Sequence, residues 1–163
     1  MMPIPTINVG FTGTRHGLTY PQRDALAQFV SGLYNLSLAA RDLATYLKQP
    51  EPGILGFVAH GKCRGADDEF DAMANSYGLR VHLYPGPVTR WTAPCVGAYR
   101  EHPPAPYLVR NRAIVDATHY LCGAPKDMTE QESGGTWYTV RYARTLGRPG
   151  FIFLPDGSVK DLT

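Results

Sequence analysis

Four short motifs combine glycine with arginine or hydroxyl side chains, and these residue types favour the binding of a phosphate-bearing ligand. The first motif comprises residues 10–15 (GFTGTR). Gly13 lets the backbone approach a ligand closely, while Thr14 and Arg15 can donate hydrogen bonds to a phosphate. The motif matches neither the GxGxxG dinucleotide fingerprint nor a P-loop. A turn that carries a solvated arginine is the alternative interpretation.

The second motif, residues 60–67 (HGKCRGAD), is a glycine-flanked loop that we predict to join a strand to a helix. Free N–H groups at a helix N-terminus bind anions, so we assign Gly61, Arg64 and Gly65 to a ligand site. Asp67 is expected to accept a hydrogen bond from a ribose hydroxyl. An aspartate in a first helical turn also stabilises the helix dipole without any ligand, and this alternative stays open.

The third motif places Arg110, Asn111 and Arg112 near the start of a predicted helix. Two arginines there oppose the helix dipole, which is a cost that a ligand-binding role would explain. We therefore assign all three residues to the site. In the alternative interpretation they are surface residues, with Arg112 paired to Asp116 one turn later.

The fourth motif, residues 132–137 (ESGGTW), is the most specific of the four. Its position at a loop-to-helix junction offers N–H and hydroxyl donors to a phosphate, and a plain capped helix start is the alternative. The predicted binding residues here are Ser133, Gly134, Gly135 and Thr136. Further along the same helix, the predicted core contacts are Trp137, Val140 and Ala143.

A proline-rich stretch, residues 85–107, contains Arg90, Trp91, Tyr99 and Arg100. Irregular segments of this length in a compact domain often act as lids. An aromatic side chain there would either stack on a base or pack the segment onto the domain, and the sequence favours neither.

The elements that must position these motifs alternate between strand and helix patterns. We predict an α/β, Rossmann-like three-layer fold with a mainly parallel sheet of about five strands, in one domain spanning residues 1–163. Ligands of such sheets bind beyond the carboxyl ends of the strands, at the topological switch point. The predicted strands are 7–12, 54–60, 80–84, 120–124 and 150–154. The predicted helices begin after Thr19, with a break at residues 34–35 and a stop at 50–53, and continue with 66–77, 108–118 and 136–146.

Composition limits the classes of function. The net charge of +2 is too balanced to indicate a nucleic-acid partner. Three cysteines without a CxxC pair favour a reducing compartment, and residues 1–5 lack the features of a signal peptide. We therefore predict a cytoplasmic protein without a membrane segment. His60 and Cys63 have no further clustered ligands, so we predict no metal, no cofactor and no cysteine nucleophile.

In this order, the four motifs resemble the SLOG superfamily and most of all its YspA/YpsA-like branch: GFTGTR, HGKCRGADDEFDAMA, RNRAIVD and SGGTWYTVRYAR. The superfamily also includes the LOG nucleotide phosphoribohydrolases and the DprA/Smf DNA-processing proteins. The resemblance covers nearly the whole chain. It implies a Rossmann-like sheet, a nucleotide or NAD-derived ligand such as an ADP-ribose species, and assembly into a homo-oligomer.

The likeness to the LOG enzymes is incomplete at the catalytic carboxylate. Arg112 resembles their conserved arginine, and residues 134–136 resemble the phosphate-binding part of their PGGxGTxxE motif. The glutamate of that motif, however, falls at Thr139. N-glycosidic hydrolysis would then need Glu132 or Asp67 to activate water.

Three functions therefore remain at this stage. The leading hypothesis is a sensor or binding module for a nucleotide or NAD-derived ligand of the AMP or ADP-ribose type. The first alternative is a LOG-like nucleoside-monophosphate hydrolase, with Arg112, Glu132 and Asp67 as candidate catalytic residues. The second alternative is a DprA-like DNA-binding module, against which the near-neutral charge argues.

Overall fold

The computed structural model describes residues 6–48 and 55–163, and its centre is one mainly parallel sheet. The strands are β1 (Ile7–Gly13), β2 (Leu55–His60), β3 (Val81–Leu83), β4 (Arg100–Glu101), β5 (Tyr120–Ala124), β6 (Gly150–Phe153) and β7 (Val159–Asp161). The helices are α1 (Tyr20–Tyr46), α2 (Ala66–Ser76), α3 (Tyr107–Asp116) and α4 (Gly135–Thr145). Within these residues, no helix is both long and apolar enough to cross a membrane.

The sheet has the order β4-β3-β2-β1-β5-β6-β7 and lies between two helical layers. Helices α1 and α2 cover one face, where Phe11 of β1 stacks on Phe70 of α2 at 4.4 Å between ring centroids. Helices α3 and α4 pack together on the other face, where Val140 and Leu121 are fully buried. The predicted α/β, Rossmann-like three-layer fold is therefore confirmed.

The described residues form seven strands, not about five. The additional strands are the two-residue β4 inside the proline-rich stretch and β7, which pairs antiparallel with β6. All residues of both strands are exposed, so neither carries the buried apolar pattern that marks a strand in the sequence.

Helix α1 runs without the break that we predicted at residues 34–35. It starts with a capping box, in which Thr19 and Gln22 exchange side-chain and backbone hydrogen bonds. Tyr34 packs against Tyr77, at the end of α2, with ring centroids 5.0 Å apart. This tertiary contact favours a continuous helix over a local preference for a turn. The predicted stop at residues 50–53 and the predicted first residue of the second strand, 54, lie outside the described residues.

The other helix boundaries agree with the predictions within one or two residues.

The order of the strands determines where a ligand can bind. From β1 the chain proceeds through β2 and β3 to one edge of the sheet, then crosses back to place β5 on the other side of β1. The switch point therefore lies between β1 and β5, where Gly13 is paired with Ala124.

Candidate ligand-binding site

A cavity of about 550 Å³ opens at the carboxyl ends of β1 and β5, at the switch point of the sheet. Portions of all four sequence motifs line it, although they are far apart in the chain. The predicted site residues that line the cavity are Gly13, Thr14, Arg15, Gly61, Asp67, Arg110, Asn111, Ser133, Gly134, Gly135 and Thr136.

Arg112 and Glu132, two of the predicted catalytic residues, do not line this cavity. Arg112 is exposed; its Nε donates to the hydroxyl of Tyr138 at 2.6 Å, and its guanidinium also lies over the ring of Tyr142. Asp116, the alternative partner of Arg112, accepts instead from the Tyr142 hydroxyl. Glu132 is also exposed, and its carbonyl accepts a hydrogen bond from Arg141.

Arg64 and Gly65 likewise do not line the cavity. Both residues instead make contacts that fix the conformation of the loop. The N–H of Arg64 donates to the carbonyl of Trp91 at 2.9 Å, while its side chain is exposed. Gly65 precedes α2 with φ of 92°, and a Cβ there would lie 2.4 Å from the carbonyl oxygen of Arg15. A side chain at residue 65 would therefore separate the first two motifs.

The floor of the cavity is a buried polar cluster around Arg110. Its guanidinium donates to the carbonyls of Gly61 and Tyr84 and, at 3.3 Å, to the thiol of Cys63. The Nε of Arg110 is buried and has no hydrogen-bond partner among the described residues. A buried donor without a partner is unusual, so the guanidinium of Arg110, a residue that lines the cavity, is incompletely hydrogen-bonded.

Asp67 completes the floor. Its Oδ2 accepts the backbone N–H of Cys63 at 3.1 Å. Burial raises the pKa of the Asp67 carboxyl above its ordinary value, against the opposing influence of His60 and Arg110. Asp67 therefore has an internal hydrogen-bonding role and, as a cavity-lining group, can also accept from a sugar hydroxyl.

The opposite wall is the N-terminus of α4, which is open. Gly134 occupies the capping position with φ of 103°, no described side chain caps the helix, and its first turn has no acidic residue. The preceding loop is held by Arg141, which donates to the carbonyls of Gln131 and Glu132 at 2.7 and 2.8 Å. The first N–H groups of α4 consequently border the cavity at a fixed place without a side-chain partner.

Thr139, where the LOG motif would carry glutamate, is fully buried. Its Oγ1 donates to the carbonyl of Gly135 at 2.7 Å, and the residue does not line the cavity. The carboxylates that do line it are Asp67 and Asp127. The sequence analysis overlooked Asp127 and its neighbour Lys126, although both follow the carboxyl end of β5, where ligand-binding residues are expected.

His60 and Asp71, which are buried, form a cluster with the half-buried Cys95 beneath the second motif. The Nδ1 of His60 accepts the N–H of Lys62 at 3.1 Å, so in the neutral ring its Nε2 carries the proton that is donated to Asp71 at 2.9 Å. A metal at Nε2 would have to displace this proton and leave Nδ1 as an acceptor, which is an unfavourable state for a ligating histidine. Burial and the nearby aspartates raise the pKa of the Cys95 thiol to about 12. Both ring nitrogens of His60 are therefore used in hydrogen bonds within the protein, as in a cluster that stabilises the fold.

The proline-rich stretch packs beside the cavity, against the loop of the second motif. Cys63 and Thr92 form an isolated antiparallel bridge, and the N–H of Ala93 donates to the carbonyl of Lys62 at 2.9 Å. The stretch ends in Tyr107, which lines the cavity and which the sequence analysis did not assign to the site.

Several solved structures share this fold. No known family model and no curated protein matches the chain. A molybdenum cofactor binding protein from the phototrophic bacterium Rippkaea orientalis is 11% identical, with a TM-score of 0.64 over 93% of this chain and 78% of its own.

Two DNA processing proteins A (DprA) are also similar. DprA from Streptococcus pneumoniae is 16% identical, with a TM-score of 0.58 over 90% of this chain and 50% of its own. DprA from Helicobacter pylori, described for its single-stranded DNA binding mode, is 15% identical, with a TM-score of 0.53 over 90% and 64%. At identities of 11–16%, these likenesses show that the chain shares the fold of these proteins.

Proposed function

We propose that the protein binds a nucleotide or NAD-derived ligand of the AMP or ADP-ribose type, as a sensor or binding module. The observation that carries this proposal is the pairing of the uncapped N-terminus of α4 with the buried, incompletely bonded Arg110 in one cavity. The cavity volume of about 550 Å³ is in the ordinary range for sites of small organic ligands.

The two ends of the cavity define how such a ligand would be oriented. A phosphate fits the N-terminus of α4, where N–H groups and the helix dipole favour negative charge. The Asp67 end disfavours a second anion and suits a hydroxyl of the sugar. Arg15 is exposed at the cavity wall and forms no ion pair within the described residues. It is available for a further anionic group of the ligand.

Calorimetry of the full chain tests the proposal with AMP, ADP-ribose, NAD and a cyclic ADP-ribose. We expect Arg15→Ala to weaken binding of the best ligand about tenfold, since a charge-assisted contact would be lost. Arg112→Ala is the matched control, because it also removes an exposed arginine but lies outside the cavity lining, and it should change affinity less than twofold. No binding of any of these ligands would refute the proposal.

Asp127 favours N-glycosidic hydrolysis as a second candidate function. It is a half-buried carboxylate that lines the cavity, as a group that activates water must. In this reaction water attacks C1′ of a nucleoside monophosphate, the C–N bond breaks, and the base leaves with a proton. Release of free base that is lost in Asp127→Asn would support hydrolysis. Release unchanged in this variant would exclude the role of Asp127.

The likeness to DprA makes single-stranded DNA a useful additional probe. Binding through phosphate contacts releases counterions, so the affinity would fall steeply as salt increases. The cavity supports the small-ligand proposal instead, and we expect an oligonucleotide not to compete with AMP.

A further inference from the structure

Arg15 contacts two aromatic rings at the edge of the cavity. Its guanidinium carbon lies 4.7 Å from the ring centroid of Tyr107 and 5.2 Å from that of Trp91. Arg15 and Tyr107 line the cavity, while Trp91 is 37% exposed and belongs to a short 3-10 turn, Thr89–Trp91, in the proline-rich stretch. A guanidinium group, which is planar, thus lies against both rings beside the proposed ligand site.

The two rings are held in place by contacts of their own. The carbonyl of Trp91 accepts the N–H of Arg64, and the adjacent Thr92 is bridged to Cys63. The ring of Tyr107 packs on Gly86, where a Cβ would lie 2.3 Å from it. The Arg15 guanidinium, by contrast, forms no ion pair within the described residues. No ion pair of the described residues therefore opposes a movement of the Arg15 guanidinium away from the two rings.

The hydroxyl of Tyr107 is a second, independent observation. It is buried and has no hydrogen-bond partner among the described residues. A buried hydroxyl of this kind gains stability when a ligand or water supplies the missing bond. Tyr107 therefore lines the cavity and also carries a buried hydroxyl without a hydrogen-bond partner among the described residues.

We propose that Trp91 and Tyr107 form a subsite for the nucleobase of the ligand. The base stacks against the two rings in the place that the Arg15 guanidinium occupies, and Arg15 turns toward an anionic group of the ligand. A base and a guanidinium are both flat and stack on aromatic rings, while arginine bonds more strongly to phosphate than to a ring face. This inference rests on the proposed function and adds the part of the ligand that the helix end does not contact.

Calorimetry with two probes, AMP and ribose 5-phosphate, separates base recognition from phosphate recognition. Stacking on one aromatic side chain typically changes affinity by about 5- to 150-fold. We expect Trp91→Leu to weaken AMP binding about tenfold and to leave ribose 5-phosphate binding within twofold of the wild type. Trp91→Phe keeps a ring and should retain AMP affinity within about threefold, so it gives a second variant if the leucine substitution unfolds the turn.

The matched control is Tyr99→Leu. Tyr99 is a 65% exposed aromatic residue of the same stretch, but its ring contacts Arg80 and His82 rather than Arg15. It should leave both affinities unchanged. Thermal unfolding of each variant confirms that it is folded.

The outcomes distinguish failure of this subsite from failure of the proposed function. Equal wild-type affinity for AMP and ribose 5-phosphate would overturn the base subsite alone. Equal weakening of both probes by Trp91→Leu would overturn it too, since Trp91 would then act only through Arg15 on the phosphate. Binding of neither probe by the wild type, together with no binding of ADP-ribose, NAD or a cyclic ADP-ribose, would overturn the proposed function and, with it, the subsite.

Discussion

The N-termini of α2 and α4 border the same cavity, but only α2 has acidic side chains in its first turn to balance the positive end of the helix. Helix α2 carries three acidic residues in its first turn, and two of them bond to the chain's own backbone: Asp67 accepts from Cys63, and Glu69 from Leu18. Helix α4 has a glycine cap and no acid in its first turn. The chain neutralises the positive end of α2 by itself, whereas that of α4 remains available to a ligand.

The difference shows why glycine-rich strand-to-helix junctions alone do not identify anion sites. Both junctions match the pattern of a loop with glycines followed by a helix, and the sequence analysis assigned both to ligand binding. The acids that follow Gly65 turn the first junction into an internally bonded structure, while Gly134 and Gly135 are followed by no acid in the first turn. The residues of the first helical turn thus decide between the two roles.

The largest effect is expected when α4 is given an acidic residue in its first turn, as α2 has. Gly135→Asp places a carboxylate in the first turn of the helix, where it repels a phosphate. We expect AMP affinity to fall at least about 100-fold, or about 3 kcal/mol. The unfolding free energy should stay equal or rise by about 0.5 kcal/mol, because the charge favours the helix dipole.

Gly135→Ala is the control for this substitution. Its Cβ would lie 3.6 Å from Nδ2 of Asn111, which is an ordinary contact distance. Calorimetry should find AMP affinity within about threefold of the wild type. Equal affinities of the aspartate and alanine variants would mean that no phosphate binds at α4.

A glycine-to-alanine change beside α2, unlike the one at Gly135, should destabilise the fold. In Gly61→Ala the new Cβ would lie 1.5 Å from Nη1 of Arg110, so the buried guanidinium has to move and its bonds to Gly61 and Tyr84 are strained. We expect a loss of about 2 kcal/mol in the unfolding free energy, measured by urea denaturation. A Gly61→Ala protein as stable as Gly135→Ala would contradict the close packing of Arg110 against Gly61.

Asp67 makes the α2 side sensitive to pH. Because burial raises the pKa of Asp67 in the folded state above 3.8, ionisation of this carboxyl costs stability. Its favourable contribution is complete below about pH 3.8 and is lost as the pH rises through the folded-state pKa. Each unit of pKa increase corresponds to about 1.4 kcal/mol.

Asp67→Asn keeps an acceptor for the Cys63 N–H but cannot ionise. Relative to this variant, the wild type should therefore lose stability at pH values above about 3.8, as the pH rises through the folded-state pKa of Asp67. Urea unfolding of both proteins at these pH values measures the difference. A difference that is independent of pH would show that Asp67 has an ordinary pKa.

Much of this arrangement follows from local sequence patterns. Strands such as residues 120–124 and the helix after Gly65 are identified by buried apolar runs and by glycine signals, which depend on neighbours in the chain. Because the carboxyl ends of parallel strands lie at one edge of the sheet, the loops after these strands are expected to converge there. The rest depends on tertiary contacts: Tyr138 binds Arg112 outside the cavity, and Tyr77 supports α1 where a break was predicted.

The smallest expected effect concerns the acidic residues in the first turn of α2. Glu69 accepts the N–H of Leu18 at 2.7 Å and pairs with Arg23, while Asp68 is exposed and belongs to no ion pair within the described residues. Glu69→Ala should cost about 1 kcal/mol of unfolding free energy, because the Leu18 N–H loses its acceptor. Asp68→Ala, matched in charge and helical turn, should cost only about 0.3 kcal/mol.

Neither substitution should change AMP affinity more than twofold, since neither residue lines the cavity. Urea unfolding and calorimetry on the same protein samples measure the two quantities together. If Glu69→Ala weakened AMP binding as much as Arg15→Ala, the α2 end would serve the ligand as well as the fold. Both helix N-termini would then contribute to ligand binding. Helix α2 would do so by positioning the first motif through the hydrogen bond between Glu69 and Leu18.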